Sequence, residues 1–266
     1  MKSIKYVIIS DFDKTLTYGD SGMLLFREKN KEEEFKLKIE ELRKKGLCNL
    51  GAELSYLLKH EYSSLITKSD LINIGKKVKK KDGLEKFLEI LNSGLIEPKN
   101  RRDKKFKLNI SFYVVSAAPY EIVKSSLRGL VSEDHIFATK FIFDSDKIKD
   151  IEKVYAGNAK VDAIKEIAER EICPLSNLIY VGDGSSDIYA MHFIKQKEGY
   201  SISVSMSETI GAIANKTVIS NNVTAILVPI LKDIFGYSNL EIKDLFEEFN
   251  IPIKEWSTIE IYSIKF

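Results

Sequence analysis

The stretch VIISDFDKTLT, residues 7–17, sets two carboxylates, Asp11 and Asp13, two positions apart at the end of an apolar run, with the hydroxyl of Thr15 just beyond. Residues 4–10 are apolar and β-rich enough to form a buried parallel strand. The acid pair then emerges at the carboxyl end of that strand, where open α/β sheets place their ligands. A carboxylate can attack an anionic substrate if a cation suppresses their repulsion, and a second acid beside it can protonate the leaving group. Such a pair suits phosphoryl transfer. By itself, DxD serves equally well as an Asx-turn or a helix cap, so the rest of the chain has to decide.

Three further segments bear on that decision. ISFYVVSAAP, residues 110–119, is a second apolar run that ends in Ser116 and Ala117, and a strand-end hydroxyl can donate to a phosphoryl oxygen. GNAKVDAIKEIAE, residues 157–169, sets Lys160 at the start of an amphipathic helix whose apolar stripe is Ala163, Ile164, Ile167 and Ala168. Its ammonium could pair with the nucleophile or with the phosphate. NLIYVGDGSSDIYAM, residues 177–191, is a third apolar strand, ending in Gly182, Asp183 and Gly184, with Asp187 at the mouth of a helix. Each of these has an ordinary structural reading on its own: turn chemistry, a solvated lysine, a capped loop. Their joint order and their repeated placement at strand ends favour a site.

DxDxT, Ser, Lys and GDGxxD in this order resemble the haloacid dehalogenase superfamily, in its phosphoserine phosphatase-like branch. The resemblance covers roughly residues 1–20 and 82–225. It implies that Asp11 is the nucleophile that becomes an aspartyl phosphate, and that Asp13 is the general acid and base. It further implies that Ser116, Ala117 and Lys160 hold the phosphate and that Thr15 braces the loop beside it. Mg²⁺ would be held by Asp11, the Asp13 carbonyl and Asp183, with Asp187 supporting that sphere. Mg²⁺ is hard and keeps several waters, so a few carboxylates and a substrate phosphate suffice. Two departures accompany the resemblance. Ala117, Ala118 and Pro119 stand where glycines usually follow the phosphate-binding Ser, and Asp20 stands where an amino-acid-reading Glu is expected.

The fold implied is α/β: a Rossmann-like parallel sheet flanked by helices, residues 1–20 and 82–266, with an inserted helical cap over residues 21–81. The cap expectation has its own basis, because residues 23–81 read as helical with no convincing strand. Breaks fall at Gly46 and near Ser63 and Ser64, and Ser69 with Asp70 offers a cap for the last segment. Tyr18, Gly19, Asp20, Ser21 and Gly22 would form the hinge and flap. Arg27 and Glu28, in the first cap helix, are the candidates for reading the leaving group. The basic runs at 76–81 and 101–105 read as solvated.

Composition agrees with an enzyme of this kind. The chain of 266 residues is 44% hydrophobic and 30% charged, which fits a globular core with a smaller accessory domain. A net charge of +2 implies no general nucleic-acid function. Cys48 and Cys173 have no CxxC partner, so neither a zinc site nor a disulfide scaffold is expected. With no apolar run of membrane-spanning length and no leader-like amino terminus, the expectation is a cytoplasmic enzyme acting on a small phosphorylated metabolite. The reading that results is a Mg²⁺-dependent phosphatase working through an aspartyl phosphate. The alternatives are a phosphotransferase using the same intermediate, or an idle phosphate- or partner-binding module.

Overall fold

A computed structural model describes residues 2–99, 106–251 and 260–262. Its strands are β1 (Lys2–Ser10), β2 (Phe106–Pro119), β3 (Ile136–Asp144), β4 (Lys147–Lys153), β5 (Leu178–Gly182), β6 (Tyr200–Ser203), β7 (Lys216–Ile219) and β8 (Glu260–Tyr262). They form one sheet in the order β4-β3-β2-β1-β5-β6-β7-β8. Pairing is parallel from β3 through β7, while β4 and β8 run antiparallel at the two edges. The chain builds outward from β1 through β2 and β3, then returns to the other side of β1 with β5, β6 and β7. The reversal puts a crevice at the carboxyl end of β1, between β2 and β5.

Strand β1 is central because its residues bury on both faces. Ile8 packs in one apolar cluster with Val114, Ile179 and Val181, while Val7 and Ile9 pack in a second with Tyr113, Val115 and Tyr180. Successive side chains alternate between faces, so a continuous apolar run serves both layers. Helices α7 (Asn158–Arg170) and α8 (Ile188–Gln196) cover the second face, with Ile164, Ile167, Met191 and Ile194 buried. Helices α5 (Leu84–Asn92) and α6 (Tyr120–Ser126) cover the first, joined by α11 (Asn239–Glu248). Full burial of one such aliphatic side chain is worth about 1.5–3 kcal/mol.

Between β1 and α5 lie α1 (Ser21–Glu28), α2 (Glu32–Lys45), α3 (Glu53–His60) and α4 (Lys68–Lys77). They pack partly through Phe26, which stacks on Phe35 with centroids 4.0 Å apart and meets Tyr62 edge-on at 4.7 Å. The chain enters and leaves this helical group side by side, through the Tyr18 N–H to Lys79 carbonyl bond at 3.0 Å and the Lys81 N–H to Leu16 carbonyl bond at 2.9 Å.

Several boundaries differ from the sequence expectations for local reasons. The first helical segment is two helices, broken where Asn30 takes a left-handed φ of 55°. Ser69 does not cap α4: Thr67 does, in a reciprocal box with Asp70, which satisfies two orphan backbone donors where Ser69 would satisfy one. Ser21 and Gly22 belong to the first turn of α1, capped by Asp20, so the flap is confined to residues before them. The apolar run NNVTAILVPILKDIF, residues 221–235, reads as one packed helix but forms a 3₁₀ turn (Val223–Ile226) followed by the short α10 (Leu227–Pro229) and a π-turn (Ile230–Ile234). The basic run at 101–105 and Trp256 lie outside the described residues.

Candidate active site

Asp11 follows β1 directly, and its N–H continues the ladder to the Val181 carbonyl at 2.8 Å. Its side chain reaches Lys160, whose Nζ lies 3.0 Å from Oδ1. That oxygen is buried, and the ammonium is its charge partner. Lys160 is fully buried and also donates to Asp187 Oδ1 at 2.7 Å. The amphipathic start of α7 places it there, its long stem running through the core so that its head emerges beneath the carboxylates.

Asp187 is the anchor of the loop after β5. Oδ1 accepts from Tyr180 Oη at 2.6 Å as well as from Lys160, and Oδ2 accepts from the N–H groups of Asp183 at 3.1 Å and Gly184 at 3.0 Å. Four donors fill its acceptor capacity. Gly182 is required beside it, because a Cβ there would meet the Asp187 carboxyl carbon at 2.5 Å. Asp183 is thereby turned toward Asp11, and Thr15 Oγ1 donates to its Oδ1 at 3.3 Å. One oxygen from each of Asp11, Asp183 and Asp187 falls within 4.8 Å of the others.

Asp13 points the other way, toward α1. Its Oδ1 accepts from the Ser21 N–H and its Oδ2 from the Ser21 hydroxyl, both at 2.9 Å. Between the two acids the chain turns through Lys14 at a left-handed φ of 56°, a conformation that costs a non-glycine residue on the order of 1 kcal/mol. On the facing strand, the pairing of β2 with β3 slips between Ser116 and Pro119, leaving Ala117 and Ala118 bulged toward the site. Bulges re-aim side chains in this way beside binding sites. The buried Ser116 hydroxyl accepts from the Ala118 N–H at 3.2 Å, which leaves its own proton available to a ligand.

Crowding carboxylates in a buried cleft raises their proton affinity. Burial pushes Asp11 from an ordinary 3.8 up to about 7, with Lys160 opposing and Asp187 and Asp183 adding to the rise. Asp13 is raised well above the usual carboxylate range, by burial first and then by Asp20 and Asp11, against the two bonds from Ser21. Asp183 rises to about 6, again by burial and then by Asp187. Burial lowers Lys160, but Asp11 and Asp187 outweigh it and hold the ammonium charged. Three carboxylates pushed upward in one buried cleft around the single Lys160 ammonium describe a cluster short of positive charge. All of its donor atoms are hard oxygens, which fits Mg²⁺.

A cavity of about 170 Å³ opens above this cluster, lined on the core side by Asp11, Asp13, Ser116, Ala117 and Asp183. Thr15 and Lys160 lie behind that wall, and they meet Asp183 and Asp11 respectively. Arg27 and Glu28 do not reach the cavity: Arg27 pairs with Glu32 at 2.7 Å, and Glu28 with Lys77. The helical wall is made instead by Phe35, Ile39 and Arg43 of α2 and by Gly51, Glu53 and Leu54. A signal for these was present in the chain. Phe35, Ile39 and Arg43 are spaced i, i+4, i+8, so a guanidinium sits on the apolar stripe of α2.

A model of the haloacid dehalogenase-like hydrolase family matches residues 8–192, well over half of the chain. The chain belongs to that family. This haloacid dehalogenase-like hydrolase is 28% identical over 192 residues to a phosphoserine phosphatase of Methanocaldococcus jannaschii, spanning 71% of this chain and 82% of that one. It superposes on a substrate-bound phosphoserine phosphatase with a TM-score of 0.64 and 25% identity, covering 85% of this chain and 98% of the other. A phospho-aspartyl intermediate analogue of phosphoserine phosphatase matches with a TM-score of 0.57 and 26% identity, over 76% and 87% of the two chains. Among the described residues no helix is long and apolar enough to cross a membrane.

Proposed function

We propose that this protein hydrolyses a small phosphate monoester through an aspartyl phosphate on Asp11. The observation that carries the reading is the pairing of a buried carboxylate, held against Lys160, with a second carboxyl two residues on that Ser21 fixes at the same cavity and whose proton affinity burial raises. Asp11 attacks phosphorus and the bond to the ester oxygen breaks. Asp13 gives its proton to that oxygen, so an alcohol leaves. Asp13, now a carboxylate, takes a proton from the water that attacks phosphorus in the second step; phosphate departs and Asp11 is restored. The Ser116 hydroxyl and the main chain of bulged Ala117 face the phosphoryl oxygens, and the Lys160 ammonium stabilises the charge on Asp11.

The Asp11 and Asp183 carboxylates, with the Asp13 carbonyl, would hold Mg²⁺, while Asp187 has its acceptors filled and fixes the loop. Bound there, the ion would draw Asp11 into its charged form and offset repulsion between that carboxylate and the phosphate dianion. Helices α1–α4 form a cap, residues 21–81, whose first residue, Ser21, orients Asp13. Relatives of this chain bear the name phosphoserine phosphatase, which favours water over another acceptor and a metabolite-sized ester as substrate. The test is phosphate release from p-nitrophenyl phosphate. It should require Mg²⁺ and vanish in Asp11→Asn, and turnover that survives either change would overturn the mechanism.

A further inference from the structure

We infer that two copies of this chain pair through the far end of α7, where an exposed Ile172 stands beside an apolar groove. Helix α7 ends in a Schellman turn: the Cys173 N–H donates to the Ala168 carbonyl at 2.9 Å and the Ile172 N–H to the Glu169 carbonyl at 3.1 Å. The left-handed residue of such a turn is usually glycine. Here it is Ile172, at a φ of 49°. A β-branched side chain is strained in that conformation, and this one gains nothing from burial, being 89% exposed. No other large apolar side chain among the described residues stands further into solvent.

Beside Ile172 a groove of about 720 Å³ runs between α7 and α8. Leu175 and Phe193, half-buried against the core, form its floor, and its rims carry Glu169 on α7 and Lys197 just past α8. Neither of those two has an ion pair among the described residues. Lys165, the other cation at the rim, is already placed over the Phe193 ring, 5.5 Å from its centroid. A face with a knob, a groove and one unspent charge of each sign is complementary to itself. A two-fold rotation would seat each Ile172 in the partner's groove and set each Glu169 against the partner's Lys197. A partner of single sign would instead leave one of these charges facing its like. Because knob and groove share one face, the pair closes on itself, whereas a knob and groove far apart would build a filament. The face lies at the opposite end of α7 from Lys160, about 18 Å away at the helical rise per residue, so both catalytic cavities stay open.

Sedimentation velocity of the full chain across a concentration series reads the pairing. Wild type should sediment as a dimer that dissociates on dilution. Ile172→Asp should weaken dimerisation at least about tenfold, since a charge replaces the apolar anchor of the interface. Ile172→Gly should weaken it comparably while the dissociated chain keeps or gains melting temperature, because glycine accepts the left-handed φ without strain. That combination separates a lost contact from a damaged fold. Glu169→Lys and Lys197→Glu should each weaken pairing by roughly threefold or more, and the two together should restore it. Turnover of p-nitrophenyl phosphate per chain should stay as it was in all of these. A wild-type chain that remains monomeric throughout the series, a dimer indifferent to Ile172→Asp, or a double reversal that restores nothing overturns the inference.

Discussion

The two walls of the cavity are built on different principles. On the core side, each acid sits at or just after a strand end and is fixed by short-range partners: Asp11 by Lys160, Asp187 by four donors, Asp183 by Thr15. On the helical side, one ion pair, Arg43 with Glu53, stands among apolar side chains contributed by two helices. A preorganised, charge-dense wall suits chemistry that is the same for every phosphate ester. A mostly apolar wall with one ion pair suits the recognition of one leaving group. The difference teaches that catalysis and selection can be broken separately here.

The largest expected loss comes from the core wall. Asp11→Asn should reduce kcat by at least about 10⁴-fold, since no other group on that wall can take its place as nucleophile; stopped assays of free phosphate will show it. Asp13→Asn should cost about 10²- to 10⁴-fold, roughly 3–5 kcal/mol of barrier, with less loss for esters whose leaving group needs no proton. Lys160→Met should show chiefly in folding. It leaves Asp11 and Asp187 buried without their counter-charge, and urea denaturation should register a loss of about 3–5 kcal/mol.

A pH experiment sharpens the comparison further. Asp11 holds its proton more tightly folded, at about 7, than its ordinary 3.8 allows. Its contribution to stability is therefore fully present below 3.8 and lost as pH rises through 7, and Asp183, raised to about 6, acts in the same direction. Metal-free protein should melt lower at pH 8 than at pH 5, and Asp11→Asn should flatten that slope. A rise in melting temperature across this window would contradict the assigned crowding. The smallest effect is expected outside both walls. Arg27→Ala removes a solvent-screened surface pair with Glu32, so melting temperature and kcat/KM should both stay as they were.

How legible each wall was in the chain follows from the same difference. β1, β2 and β5 end in chemically unusual letters, so residues 7–17, 110–119 and 177–191 announced both the sheet and the acids. Parallel strands buried on both faces read as plain apolar runs, and their carboxyl ends are where ligands bind. The slip between Ser116 and Pro119 was invisible, because it is set by pairing with β3 and not by any local signal. The helical wall was misplaced for a related reason. Arg27 and Glu28 are near the acids in sequence, but the break at Asn30 turns α1 so that they pair with Glu32 and Lys77. Arg43 and Glu53 come together only through the packing of α2 on α3, a tertiary fact that helical periodicity hints at without fixing.

The most direct test of the central claim is to quench wild-type enzyme with acid during turnover of a phosphate ester in Mg²⁺ and map covalent phosphate by mass spectrometry. The account predicts phosphate on the peptide carrying residue 11, at Asp11 and absent from Asp11→Asn. Active enzyme whose quenched peptides carry phosphate elsewhere would contradict it.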